Sequence, residues 1–272
     1  MKISSAGLYF FSPTGSTKKI ANSILKGMDV YKINTINLTV PENRKNFRAV
    51  IEEDIAIIAI PVYGEKVPVF LYSCFDNIKG NGKPLILICV YGNIRSGPVL
   101  NELYKLFSRN GFIVVGAGEF IGRHSFCNKK LSIAKERPDT NDRIIAETFG
   151  KMIKEKLLEA DGLTSIKAAV IPQKKLSIIA KIVPNNNERI ITKLPNMDIN
   201  TCQKCGICVK ACPMEAIQPG DFTIDGKICI RCFACVRKCP AKSRQIYLRK
   251  KLIILPYFKL YGSKRKEPVI YI

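Results

Sequence analysis

Over the first 160 residues, short apolar runs alternate with stretches of helical period. Residues 3–11 form an apolar, aromatic-rich run, and 55–60, 85–90 and 112–115 form three more. Runs of this length bounded by Gly, Pro and Ser read as strands buried on both faces. Residues 18–26 and 144–158 carry the amphipathic spacing of helices, the second preceded by a turn at Arg137-Pro138-Asp139. The alternation predicts an α/β domain with a parallel sheet over 1–160. The pattern fades after that. Residues 161–198 hold two basic apolar stretches and a loop-like 184–187, a connector free to pack on either neighbour. Residues 199–243 are cysteine-rich. Residues 244–272 are a basic, apolar tail in which Pro256 is expected to break any helix. No apolar run approaches the roughly 18 residues of a membrane-spanning helix. Residues 3–11 are too short, and too directly joined to a turn, for a signal peptide, so a cytosolic chain is expected.

Eight of the eleven cysteines change the picture. They stand as Cys202-x2-Cys205-x2-Cys208-x3-Cys212-Pro213 and again, 27 residues on, as Cys229-x2-Cys232-x2-Cys235-x3-Cys239-Pro240. Val209 recurs as Val236, Lys204 as Arg231 and Lys210 as Arg237, so the segment is an internal repeat. Four soft thiolates converging on four irons hold a cubane cluster. In this spacing the cysteine before the proline ligates the other loop's cluster. The expected metal ligands are Cys202, Cys205, Cys208 and Cys239 for cluster I, and Cys229, Cys232, Cys235 and Cys212 for cluster II. A zinc site has no use for the third and fourth cysteine of each run. Disulfides belong to small secreted chains. Residues 199–243 resemble a bacterial two-cluster ferredoxin over their whole length.

The first predicted strand runs into Ser12-Pro13-Thr14-Gly15-Ser16-Thr17 and then a helix. Backbone N–H groups, hydroxyls and a positive helix end make a phosphate site there. The turn lacks the lysine-bearing motif of an ATP or GTP loop. Two later strands lead into Pro61-Val62-Tyr63-Gly64 and Tyr91-Gly92-Asn93. Ligands of open α/β sheets bind beyond these carboxyl ends. A tyrosine there can stack on a flat ring, and a glycine lets backbone approach its edge. The glycines of 116–122 miss the nicotinamide-binding spacing by one residue. His124, the only histidine, is either structural or a neighbour of the ring. Cys89 reads as core, Cys74 fits neither cysteine motif, and Cys127 lies close enough to His124 to be considered with it.

Ser12, Thr14, Gly15 and Thr17 match the phosphate loop of flavodoxins position by position. Residues 1–160 with 199–243 resemble the flavodoxin–ferredoxin fusion family of anaerobes. The likeness extends to Gly122, His124 and Ser125, to Arg137-Pro138-Asp139, to Phe149-Gly150 and to Arg265-Lys266-Glu267-Pro268. Arg123 departs from it, standing where an acidic residue is expected. The resemblance implies a flavodoxin-like, doubly wound parallel five-stranded sheet followed by a smaller α+β two-cluster ferredoxin domain. It also implies FMN, two 4Fe–4S clusters and electron transfer in low-potential anaerobic metabolism. The alternative is a flavin-dependent reductase of a small molecule such as a quinone, fed through the clusters; no acid/base pair in the sequence compels catalysis.

Formal charge is +22, net +8 over 1–160 and net +14 over 161–272. Bound clusters and a flavin phosphate would lower the total to roughly +16. Residues 240–272 hold Lys242, Arg244, Arg249, Lys250, Lys251, Lys259, Lys264, Arg265 and Lys266 against Glu267. The expected partner is an acidic redox protein, a ferredoxin, flavodoxin or oxidoreductase. An anionic membrane surface is the other candidate for the tail, and nucleic acid is not expected.

Overall fold

The computed structural model describes residues 1–128, 131–182, 188–249 and 251–272; the loop expected at 184–187 and the tail residue Lys250 lie outside them. The elements run β1 (Ser5–Phe10), α1 (Ser16–Met28), β2 (Lys32–Asn37), β3 (Ala49–Val50), β4 (Ile55–Pro61), α2 (Tyr72–Phe75), β5 (Ile78–Lys79), β6 (Pro84–Tyr91), α3 (Val99–Arg109), β7 (Ile113–Ile121) and α4 (Thr140–Leu158). Then follow α5 (Ile178–Ile182), α6 (Glu188–Ile191), α7 (Ile207–Lys210), α8 (Ala234–Arg237), α9 (Lys251–Gly262) and β8 (Val269–Tyr271).

Five parallel strands pair in the order β2-β1-β4-β6-β7, the doubly wound order of a flavodoxin-type sheet. Alternation with period two gives each central strand two apolar faces. Leu8, Phe10, Ile57, Ile86 and Ile88 face α1 and α4, while Tyr9, Ile58, Leu85 and Leu87 face α2 and α3. Helices α1 and α4 touch backbone to backbone. A Cβ on Gly150 would stand 2.1 Å from the Ile24 carbonyl oxygen, and one on Gly27 would stand 1.9 Å from that of Glu147.

The tail departs from expectation. Residues 251–262 form α9 with Pro256 inside it, so the proline does not break the helix. Pro256 and Leu252, the residue whose carbonyl loses its amide partner, are both exposed, so the missing bond falls on the solvent side of the helix. Beyond α9 the chain returns to the sheet, and β8 adds an antiparallel sixth strand beside β7. The Arg137-Pro138-Asp139 turn holds this return. Arg137 pairs with the buried Asp142 and donates to the Lys266 carbonyl at 3.0 Å, while Arg265 donates to Asp139 at 2.7 Å. Asp139 also caps α4 by accepting from the Asp142 amide. The last strand of the sheet's parallel part is longer than the 112–115 run, so Gly116 and Gly118 lie within β7 and not in a loop.

The connector threads between the parts. The Ala169 amide donates to Val114 O, Lys174 pairs with the buried Glu119, and Ser177 donates to Glu65 through its amide and its hydroxyl. Ile230, Cys232 and Ala234 pack into the same core as Phe11, Phe75 and Phe107. The cysteine-rich segment is thus seated on the α2/α3 side of the sheet.

Candidate functional site

The carboxyl ends of β1, β4 and β6 open into a cleft of about 1150 Å³, its mouth included. Ser12, Thr14, Ser16 and Thr17 line it from the first loop. Pro61, Val62, Tyr63 and Gly64 line it from the second, Tyr91 and Gly92 from the third, and His124 with its neighbours from the loop after β7. Of the residues singled out in the sequence, Gly15 and Asn93 are not on its wall. Gly15 is the left-handed cap of α1 (φ 91), and Asn93 donates to the Gly262 and Lys264 carbonyls at 2.8 and 2.9 Å, clamping the end of α9.

The first loop is shaped from within. The Ser12 hydroxyl accepts from the Lys18 amide at 3.1 Å, and its own amide donates to Thr39 at 2.7 Å. Thr17 is buried and Thr14 is exposed. The amino end of α1 has no acidic residue in its first turn, so the positive end of the helix faces the cleft undiluted. The second loop is a tight turn with Gly64 and Glu65 both at positive φ, closed by reciprocal bonds between Tyr63 and Lys66. Burial pushes the phenols of Tyr63 and Tyr91 well up, so both stay neutral; Cys232 and Glu188 add to the effect on Tyr63. His124 lies against Gly92 and meets Phe126 and Phe258 edge-on at 5.0 Å. Its Nδ1 accepts from the Phe126 amide. Burial, with the charge of Arg237 behind it, pulls its pKa down to about 4, which makes it a neutral imidazole.

Other cleft residues come from outside the sheet domain, and the sequence did not mark them. Ser177, Ile179, Ala180, Glu188 and Ile191 reach it from the connector, Tyr257 and Phe258 from α9, and Ile230 and Arg231 from the second cysteine loop. Burial raises the pKa of Glu188. Only Arg231 carried a sequence signal, its place inside the cysteine repeat.

The two cysteine runs repeat in conformation as well as spacing. Lys204 and Arg231, Gly206 and Phe233, and Glu215 and Lys242 are three pairs 27 residues apart, and all six have positive φ. Helices α7 and α8 occupy equivalent places. Cys212 faces the amides of Met214, Ala216 and Ile217; Cys239 faces those of Ala241, Ser243 and Arg244, the same offsets. Cys212, Cys229, Cys232 and Cys235 line one small cavity, so the cysteine before Pro213 crosses to the other loop. Burial raises the Cys212, Cys232 and Cys235 thiols, the last to about 12, and neighbouring thiolates add to this at each. Three such groups become thiolates together only around a cationic centre. The other run is more open: Cys205 is exposed, and Cys202, Cys208 and Cys239 are half-buried. Burial opposes ionisation of Cys239, but the Ser243 hydroxyl and the three amides outweigh it and lower its pKa. Among the described residues no three His, Cys, Asp or Glu are arranged round a single ion.

The Cys212 cavity abuts the cleft. Ile230 and Arg231 line both, and Tyr63 packs against the same core cluster as Cys232. Arg237 of α8 donates to the His124 carbonyl at 2.8 Å and to Ser125 at 3.3 Å, and Arg44 donates to Pro213 O while lying over the Phe11 and Phe70 rings. Of the tail cations, Arg244 is buried on the Pro195 and Phe222 carbonyls, Arg265 is paired, and Lys266 donates to Ile94 O. No helix among the described residues is long and apolar enough to cross a membrane.

A family model described as a 4Fe-4S dicluster domain matches residues 201–246. An archaeal flavodoxin is similar in structure at 17% identity, over 57% of this chain and 99% of its own, with a TM-score of 0.41. A Fusobacterium nucleatum flavodoxin variant bound to flavin mononucleotide is similar at 16% identity, over 57% and 97%, with a TM-score of 0.40. A Streptococcus pneumoniae flavodoxin is similar at 18% identity, over 56% and 99%, with a TM-score of 0.38. No curated protein matches the chain. By its strand order the first part is a flavodoxin-type fold, and the cysteine-rich part matches a 4Fe-4S dicluster domain. The chain is a fusion of the two.

Proposed function

We propose that the protein is an electron-transfer iron–sulfur flavoprotein that passes electrons between FMN in the cleft and two 4Fe–4S clusters. The observation that carries this reading is the wall of Ile230 and Arg231 common to the cleft and to the cavity of Cys212, Cys229, Cys232 and Cys235. Cluster II would be held by those four cysteines and cluster I by Cys202, Cys205, Cys208 and Cys239. Thr14, Ser16 and Thr17, with the amino end of α1, would hold the flavin phosphate, and Tyr63 and Tyr91 would flank the ring. FMN exchanges two electrons and can pass them singly, while each cluster carries one. The buried cluster then neighbours the flavin and the open one faces the partner, which supports the order flavin, cluster II, cluster I, partner. Residues 1–160, 161–198, 199–243 and 244–272 would serve as flavin domain, connector, cluster domain and tail. Ile179, Ala180, Tyr257 and Phe258 on the cleft wall favour transfer to the neighbouring cluster over an open flavin edge that reduces a quinone.

Anaerobic purification of the full chain tests the cofactors. The expected content is one FMN with about eight irons and eight sulfides per chain. Released FAD, or four irons with zinc in the remainder, would overturn the assignment.

A further inference from the structure

Arg231 lies between Cys229 and Cys232, is 5% exposed, and leaves its Nε and Nη1 without a hydrogen-bond partner. A guanidinium keeps its proton, so burial strands a full charge there. A stranded buried charge is strongly unfavourable unless something of opposite sign faces it. Lys204, the counterpart one repeat earlier, shares the left-handed backbone (φ 53 against 55) but is exposed to water. Among the described residues no carboxylate is within hydrogen-bond reach of either nitrogen. In the cleft, Glu65 is engaged by Ser177 and Arg95, and Glu188 faces Arg189 and Lys66. On the outer side Arg231 shares a cavity with Lys193 and Arg249, charges of its own sign. What remains is the contents of the two inner cavities that Arg231 walls, the cleft and the cavity of Cys212.

We propose that Arg231 is a charge-compensating residue common to the two inner cofactors, placed so that an electron on cluster II or on the flavin is held more tightly than one on cluster I. This rests on the reading of the cleft as a flavin site and of Cys212, Cys229, Cys232 and Cys235 as cluster ligands. Each electron adds one negative charge to the centre that takes it. A cation in a dry wall acts on that charge with little screening, whereas Lys204 acts through water. The two repeats then differ in potential although their ligands are alike, and the inner end of the wire is the electron sink.

The test is a redox titration of the anaerobically loaded full chain, with clusters followed by electron paramagnetic resonance and flavin by visible absorbance. Arg231→Gln, Arg231→Lys and Lys204→Gln are compared with the parent chain. The expected result is a shift of the cluster II and flavin midpoints to lower potential in Arg231→Gln. The shift should be smaller in Arg231→Lys and smallest in Lys204→Gln. Midpoints unchanged in Arg231→Gln, or moved no further than in Lys204→Gln, would overturn the inference while leaving the cofactor assignment standing. A parent chain that loads no flavin or no clusters would overturn the assignment, and the inference with it. Should Arg231→Gln fail to load, Arg231→Met is tried. Loading by Arg231→Lys but by neither neutral variant supports the need for charge, and failure of all three alike contradicts it.

Discussion

Gly92 is where a single methyl group tests the cleft. A Cβ there would stand 2.5 and 2.9 Å from the His124 ring and 3.1 Å from its Cα. The ring cannot easily give way. Phe126 and Phe258 hold it edge-on at 5.0 Å, the Phe126 amide donates to its Nδ1, and Arg237 fixes its carbonyl at 2.8 Å. Overpacking of this kind costs about 1–3 kcal/mol. Carried wholly by the bound state, that is roughly a fivefold to 150-fold loss of flavin affinity. Carried by the fold, it lowers Tm instead. Gly162→Ala is the control, since its backbone is extended (φ 178) and nothing lies within 4 Å of the added methyl. Flavin titration and thermal unfolding of both variants divide the cost between binding and fold. A Gly92→Ala chain indistinguishable from Gly162→Ala in both measurements would refute the packing of His124 over the third loop.

Cys212→Ala should abolish the signal of cluster II and leave that of cluster I, because Cys212 lines the cavity of the other loop; loss of cluster I alone would contradict this. Thr14→Ala combined with Thr17→Ala should weaken FMN binding, which equilibrium titration measures, and unchanged affinity would remove the phosphate assignment. Burial sets the His124 pKa at about 4 against an ordinary 6.5, so the unfolded chain takes up the proton first as pH falls. Stability from this group is full above about pH 6.5 and is lost toward about pH 4, roughly 2 kcal/mol of it by pH 5. Denaturant titrations of the parent chain and of His124→Gln should differ by that slope, and parallel pH profiles would count against it. Electron transfer to an acidic ferredoxin should slow as salt shortens the screening length from about 10 Å to about 3 Å, since Lys204, Lys210, Lys238 and Lys242 are exposed on the cysteine loops; a rate indifferent to salt would exclude electrostatic docking.

The parts of the molecule that were legible in the sequence are those where local chemistry dictates local shape. A cysteine repeat of fixed spacing constrains the backbone so closely that positive φ recurs at 204 and 231, 206 and 233, and 215 and 242. Buried strands announce themselves as apolar runs, and Ser12 to Thr17 cannot easily be anything but a turn before a helix. What depends on distant chain was hidden. Strand β2, with Lys32, Asn34 and Asn37 among its residues and most of its surface exposed, is defined by pairing with β1 and not by its own pattern. Strand β8 is three residues of the tail that become a strand only against β7. Pro256 argued against a helix, yet it lies inside α9 on an exposed face, where no buried carbonyl is left without its donor. The cleft residues Ile179, Glu188 and Phe258 come from segments with no motif, brought in by contacts such as Ser177 with Glu65 and Asn93 with the end of α9.

Electrons are expected to cross within one chain between the flavin and the clusters. Rapid one-electron reduction of the loaded protein, with flavin absorbance followed over a tenfold range of protein concentration, tests it most directly. Cluster bleaching should be followed by flavin reduction at a first-order rate that dilution does not change, and this phase should disappear in Cys212→Ala. Flavin reduction whose rate scales with protein concentration, or that survives the loss of cluster II, would contradict it.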